Sequence, residues 1–254
     1  MLVAERYEKI VSLVNERGSI RVSELSELCQ VTEETIRRDL DRLEQAGRLR
    51  RSHGGAVSVK DTTIHPEIPY AVREIMNAEE KKRIALEAIK RIAPKDRILL
   101  DASSTAWYMA SDVPDVPLTV LTNSIKVATE LSHKEKIEVI STGGILAQRS
   151  LSFVGPLAER SLDAYHVDKV FLSCKGVHLE RGISESNELQ ARIKERMIGM
   201  ADEVILLADS SKFGVQAFTH VADLSEVDVI ITDRRMAKEM IEQLEGRGIT
   251  VITV

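Results

Sequence analysis

Six arginines (Arg37, Arg38, Arg42, Arg48, Arg50 and Arg51) crowd into a stretch that holds only three acids, Asp39, Asp41 and Glu44. The local balance is +3 in a chain whose net charge at pH 7 is −5. Guanidinium groups form charge-assisted pairs with phosphate and can meet O6 and N7 of guanine bidentately. A basic stripe on an acidic protein suits contact with a nucleic-acid backbone while the remaining surface keeps the molecule soluble. A second set of residues suits another chemistry. Asp101-Ala-Ser-Ser-Thr105, Thr122-Asn-Ser124, Ser141-Thr-Gly-Gly144, Ser173-Cys-Lys-Gly176 and Asp209-Ser-Ser-Lys212 are polar runs that each follow an apolar one. Free backbone N–H groups and hydroxyls in such loops suit an anion such as phosphate, and Lys175 and Lys212 add positive charge.

These residues need elements to position them. Ile10, Leu13 and Val14 have the spacing of an amphipathic helix that Gly18 would end. A short helix follows from about Val22 to Cys29, with Leu25 and Leu28 inward and Ser23 near its start. After a turn at Gln30-Val31, Thr32 is placed to cap a third helix, and Glu33 and Glu34 favour its dipole. Ile36, Leu40 and Leu43 form its buried stripe, and Gly47 should end it. At about 100° per residue, Glu34, Arg38, Asp41, Arg42 and Gln45 then face outward, with Thr35 and Arg37 on the flanks. Two short strands around His53-Gly54-Gly55 complete a winged helix-turn-helix, a rod for the major groove with phosphate contacts beside it. The charges alone also fit a salt-bridged surface helix, through Glu34–Arg38 at i, i+4 and Arg38–Asp41 at i, i+3. His53 by itself reads as an ordinary turn residue.

Residues 58–78 carry Pro66 and Pro69 and no clear period, the signal of a linker. A helix from Glu80 to Ile92, stopped by Pro94, opens the remainder. Strands are predicted at Ile98–Leu100, Leu118–Leu121, Ile137–Ile140, Val167–Leu172, Val204–Leu207, Val227–Ile231 and Ile249–Val254. Helical patterns separate most of them, notably Glu188–Met200 and Arg235–Leu244. Such alternation predicts an α/β domain with a mainly parallel sheet, whose strand ends line a ligand crevice. The same Ser, Thr, Asn and Gly residues also mark ordinary caps and turns, as Gly155-Pro156 does.

Composition sets the outer bounds. Of 254 residues, 43% are hydrophobic and 30% charged, which excludes wholesale disorder. No apolar stretch reaches the ~18 residues of a membrane span, and residues 1–8 lack the apolar core of a secretory signal. Cys29 and Cys174 lack metal-ligand spacing and read as buried thiols of a reducing, cytoplasmic protein.

The run Val31-Thr-Glu-Glu-Thr-Ile-Arg-Arg-Asp-Leu-Asp-Arg-Leu-Glu-Gln-Ala-Gly47, continuing through Arg51-Ser-His-Gly-Gly-Ala-Val57, resembles the signature of DeoR-family bacterial transcriptional regulators. Thr32 departs from the family's usual serine, and both hydroxyls cap helices. Residues from about Arg73 to Asp233 resemble the family's sensor domain, which is similar in fold to sugar-phosphate isomerases, aminosugar-phosphate deaminases and coenzyme A transferases. Asp101–Thr105, Thr122–Ser124, Gly143-Gly144, Phe153–Pro156, Lys175-Gly176 and Glu203–Gly214 carry that match.

The resemblance implies a DNA-binding regulator with a winged helix-turn-helix over 1–57, a linker over 58–78 and an effector-sensing domain over 79–254. Candidate DNA contacts are Thr32, Glu34, Thr35, Arg37, Arg38, Arg42, Arg50, Arg51, His53 and Gly54. Candidate effector contacts are Asp101, Ser103, Ser104, Thr105, Asn123, Ser124, Gly143, Gly144, Lys175, Gly176 and Lys212. Ser103 stands where the family places glycine, so its side chain either crowds the phosphate cradle or supplies a hydrogen bond of its own. The leading expectation is a repressor of a carbohydrate-utilisation operon that binds double-stranded operator DNA as a homodimer or homotetramer. A phosphorylated sugar or related metabolite would modulate it. No catalytic residue, cofactor, metal or membrane partner is expected. The alternatives are a sensor half that retains isomerase or deaminase activity, through Asp101, Asp209 and Lys212, and a nucleoside or unphosphorylated sugar as ligand.

Overall fold

Tyr7, Ile10, Val11 and Val14 lie on one stripe of the first helix, α1 (Val3–Arg17), and all four are buried. The computed structural model describes residues 2–17, 19–52, 54–57 and 67–254. Two units divide the chain, Met1–Ala78 and Glu79–Val254.

In the first unit, α1 is followed by β1 (Ser19–Arg21), α2 (Val22–Cys29) and α3 (Glu33–Gln45). Gln30 ends α2 in the left-handed conformation, and Thr32 caps α3 by accepting from the Thr35 amide at 3.3 Å. Ile36, Leu40 and Leu43 are fully buried against Leu25, Cys29 and the α1 stripe. Gly47, at φ 69°, ends α3 with its N–H on Glu44 O. The wing is β2 (Arg50–Ser52) and β3 (Gly55–Val57), turned at Gly54 with φ 82°. Gly55, expected in the turn, opens β3. The sheet runs β1-β3-β2, all antiparallel, and β1 is a strand that the sequence pattern did not announce. Gly18 and His53 lie outside the described residues.

Of the expected linker, 58–66 also lies outside the described residues, and 67–78 differs from expectation. Residues there form α4 (Tyr70–Ile75), with Tyr70 buried and the Arg73 guanidinium 5.4 Å from the centre of its ring. Pro69 stands just before the helix, where a missing N–H costs nothing. One buried residue in so short a helix leaves no period to read.

The second unit opens with α5 (Ala78–Ile89), which begins at the last residue of the first unit, two residues before the expected Glu80, and ends three before the expected Ile92. It continues through β4 (Arg97–Leu100), α6 (Ser104–Asp112), β5 (Leu118–Thr122), α7 (Ile125–Leu131) and β6 (Ile137–Ser141). A hairpin of β7 (Ile145–Ala147) and β8 (Ser152–Val154) leads to α8 (Pro156–Leu162) and β9 (Val167–Leu172). Then come β10 (Gly176–His178), β11 (Gly182–Glu185), α9 (Glu188–Gly199), β12 (Ala201–Leu207) and β13 (Thr219–Ala222). The chain ends with β14 (Val229–Thr232), α10 (Lys238–Glu245) and β15 (Thr250–Thr253).

Seven strands form one parallel sheet in the order β15-β14-β12-β9-β4-β5-β6. Its central runs, such as Leu99-Leu100 and Val204–Leu207, are buried throughout, as a sheet covered on both faces requires. α10 starts at Lys238 rather than Arg235, because Asp233 Oδ1 accepts from the Arg235 amide at 2.9 Å and holds that residue in a turn. A small antiparallel sheet, β10-β11-β13, and the β7–β8 hairpin add to the predicted pattern. Among the described residues no helix is long and apolar enough to cross a membrane.

Candidate nucleic-acid interface and ligand crevice

With its apolar stripe sealed, α3 leaves Glu34, Arg37, Arg38, Asp41, Arg42 and Gln45 exposed. Arg38 is open, with 72% of its side chain accessible against 49% for Arg37, and Glu34 lies at 3.3 Å. Arg37 pairs with Glu33 at 2.6 Å. Such exposed i, i+4 pairs contribute only about 0.2–0.5 kcal/mol, so a phosphate or base edge can replace the carboxylate. Thr35 is half-buried, with its hydroxyl 2.9 Å from that of Thr32.

Arg42 and Arg51 are less free than the sequence suggested. Arg42 Nη1 donates to the hydroxyl of Tyr7 at 3.2 Å, a bond that raises the guanidinium pKa further. Arg51 pairs with Asp41 through Nη1 and donates to Arg37 O at 3.2 Å, while its amide donates to Glu44 Oε1 at 2.6 Å. It straps the wing to α3, and it takes the partner that spacing had given to Arg38. Gly54 is exposed at the wing tip. The Arg50 side chain, like His53, is outside the described part.

In the second unit all seven parallel strands deliver their carboxyl ends to one edge. The crossover direction reverses between β4 and β9, the place where open α/β sheets bind ligands. Asp101, fully buried at the end of β4, accepts from the Ser103 amide through Oδ1 and from the Ser173 amide through Oδ2, both at 3.0 Å. Ser103 caps α6, its Oγ accepting from the Ala106 amide at 3.0 Å with an ordinary φ of −81°. Its side chain therefore turns into its own helix, which relieves the crowding expected of a residue replacing glycine. Ser104 and Thr105 are buried in the first turn of α6.

Neighbouring strand ends join the edge. Thr122 Oγ1 donates to Leu100 O at 2.7 Å, and the Thr142 amide donates to Thr122 O, which sets the Gly143-Gly144 turn beside β5. Gly144, at φ 116°, sits so close to α8 that a Cβ would lie 2.9 Å from Ala158 Cβ. Ser124 caps α7. Asn123 exchanges hydrogen bonds with Phe153 on β8, yet its Oδ1 is buried without a partner. An unmet buried acceptor costs about 1–3 kcal/mol, and a ligand hydroxyl would satisfy it. Trp107, one turn into α6, donates from its indole N–H to Glu130 at 3.0 Å.

Lysines close the edge on the other side. Lys212 Nζ donates to Ser173 Oγ at 3.0 Å and to Cys174 O at 2.5 Å. Lys194, missed in the sequence, sits beneath. Its Nζ lies 3.2 Å from Asp101 Oδ2 and donates to Glu185 Oε1 and Ser173 O, each at 2.5 Å. Burial alone would lower the Lys194 pKa, but Glu185 and Asp101 outweigh it and hold the ammonium above the ordinary lysine range. Burial would likewise raise Glu185, and Lys194 instead holds it below the usual carboxylate range. Burial pushes the Cys174 thiol up to about 12, so it remains neutral and unreactive.

Lys175 is half-buried after β9, its amide on Ser184 O. Gly176 is a packing residue of β10, where a Cβ would meet Val215 O at 2.4 Å. The hydrogen bonds above join Asp101, Ser103, Lys212, Lys194 and Glu185 around Ser173, with Asn123 and Ser124 on the adjacent strand end. Charges are balanced within this group, and its donors and hydroxyls suit binding of a polar anion. Among the described residues no group of three or more His, Cys, Asp or Glu could hold a metal ion.

Residues 6–62 match the DeoR-like helix-turn-helix domain, and residues 76–234 match the DeoR C terminal sensor domain. An uncharacterized HTH-type transcriptional regulator of Bacillus subtilis (strain 168), YulB, is 58% identical over 254 residues, covering 100% of this chain and 98% of its own. The L-fucose operon activator of Haemophilus influenzae is 38% identical, covering 97% of this chain and 98% of its own. The HTH-type transcriptional repressor GlcR of Bacillus subtilis is 36% identical, with 99% and 96% covered. With both domains matched and relatives aligned almost end to end, the chain belongs to the DeoR family of DNA-binding transcriptional regulators.

Proposed function

We propose that this chain represses a carbohydrate-utilisation operon and that a phosphorylated sugar or related metabolite modulates its hold on operator DNA. Residues 1–57 serve as the DNA reader and 79–254 as the sensor. Arg37 and Arg38 meet bases or phosphates, with Thr32, Glu34, Thr35, Arg42, Arg50, Arg51, His53 and Gly54 around them. One winged module offers a small interface, so a homodimer or homotetramer that spans two half-sites supplies the affinity. The observation that carries the sensor half is the orphaned Asn123 Oδ1 at the same sheet edge as Asp101, Ser103 and Lys212. It suits a hydroxyl-bearing ligand whose phosphate meets the first turn of α6 and Lys212. A relative named for an L-fucose operon supports the carbohydrate setting, and a relative named as the repressor GlcR supports repression. Regulation is linkage, in which the ligand binds the DNA-competent and DNA-incompetent arrangements unequally.

Mobility shift of the full chain on the DNA upstream of its own gene tests this reading. Affinity should fall steeply with salt, and one phosphorylated sugar should release the complex where its plain form does not. Affinity unchanged across a panel of phosphorylated sugars removes the effector claim. The isomerase or deaminase alternative needs a carboxylate free to exchange protons near neutral pH. Asp101 pairs with Lys194 at 3.2 Å, Asp209 Oδ1 accepts from the Ser211 amide, and Lys212 is held by Ser173 and Cys174, so turnover of ribose or glucosamine phosphate is not expected.

A further inference from the structure

Asp39 is out of place on α3. It lies on the inward stripe, three residues after Ile36 and one before Leu40, and is 3% exposed. Its partner is equally misplaced. Arg6 lies on the buried stripe of α1, four residues before Ile10, and is 8% exposed. Arg6 Nε donates to Asp39 Oδ2 at 2.5 Å and Nη2 to Oδ1 at 3.3 Å, a two-point pair that crosses from α1 to α3. The next two residues of α1 extend the grip. Tyr7 accepts from Arg42 in the last turn of α3, and Glu8 takes Arg48, just beyond α3, through two bonds of 3.1 Å.

Burying such a pair does little for folding. Desolvation consumes most of the Coulombic gain, and apolar residues of similar volume often serve stability as well or better. What the pair adds is direction. Ile36, Leu40 and Leu43 bury α3, but apolar contact is non-directional and leaves rotation of the helix about its own axis soft. With side chains reaching about 5–6 Å from the axis, a roll of ~20° moves an outward group by about 2 Å. The distance window of a good hydrogen bond is only about 0.5 Å. A planar guanidinium–carboxylate pair resists that roll because both of its bonds must stay aligned.

We infer that Arg6 and Asp39 are positioning residues for DNA reading, their two-point pair fixing the roll of α3 and hence the aim of Arg37 and Arg38. The test separates aim from stability in the full chain. The double variant Arg6→Met with Asp39→Leu replaces the pair by apolar groups. It is compared with wild type on a duplex enriched from a random-sequence pool by the wild-type chain, and on a scrambled duplex of equal length.

Its unfolding midpoint should match or exceed wild type, while discrimination between the two duplexes falls by about tenfold or more. Binding to the scrambled duplex, which rests on phosphate contacts, should change little. Retained discrimination in a folded double variant overturns the inference. Should the double variant fail to fold, Arg6→Lys serves instead, since it keeps the charge but loses the fork. Reduced discrimination with an unchanged midpoint supports the inference, and unchanged discrimination overturns it. If the wild-type chain enriches no sequence at all, the reading of α3 as a base reader has failed before this one.

Discussion

Lys194 is a buried cation that ties Asp101 and Glu185 to the Ser173 carbonyl at the sheet edge. Replacing it with methionine leaves Asp101 and Glu185 buried without their cation, a loss of about 3–5 kcal/mol that denaturant unfolding would read. The pH dependence has a definite sign. Glu185 is held below its ordinary 4.5, so its contribution is present above that value and lost as pH falls through the lowered one. Lys194 is held above its ordinary 10.5, so its contribution is present below that value and lost as pH rises through the raised one. With the cation gone, burial alone raises Glu185, so the stability gap between wild type and Lys194→Met should be widest on the alkaline side, below 10.5, and should narrow on acidification from above 4.5. On the other unit, Arg38→Ala should cost about 1–3 kcal/mol of operator discrimination if the arginine reads guanine. An equal loss on every duplex would assign it to phosphate. Lys194, Asp39 and Arg6 share a signal that a reader of the sequence could have used, a charge on an apolar stripe. Lys194 falls between Ala191 and Met197 on the buried side of α9. Which opposite charge each would meet depends on tertiary packing, and spacing along one helix carries no record of it.

At the scale of elements, α3 was the most legible, because its cap, its apolar stripe and its terminating glycine all agree. Thr32→Ala should lower unfolding stability by about 0.5–2 kcal/mol, whereas Thr32→Ser should leave it nearly unchanged. A loss as large for serine as for alanine would show that the methyl rather than the hydroxyl matters. The parallel strands were legible for a similar reason. Val167–Leu172 carries the apolar run Val170-Phe171-Leu172 between charged Asp168-Lys169 and polar Ser173, and β9 forms over the same span as predicted. What escaped was short or partnered at a distance. β1, β7, β8 and β10 have three residues each, too few for an alternation to declare itself. In the crevice, spacing pointed to the polar loops, but not to the way Asp101, Lys194 and Lys212 each seize a different polar atom of Ser173.

For the whole molecule, the chain divides after Ala78, and the proposed split between DNA reading and effector sensing predicts that a substitution can separate the two. Lys212→Ala should blunt release by a phosphorylated sugar in a mobility-shift titration while leaving binding to operator alone intact. Loss of operator binding in the same variant would contradict that division of labour. Trp107 extends the consequence, being the only tryptophan among 254 residues. It stands four residues after Ser103 with its indole N–H on Glu130. If the proposed effector seats at the head of α6, a shift in the ultraviolet emission of Trp107 would report it from a single site, optically and without a label, in the unaltered chain.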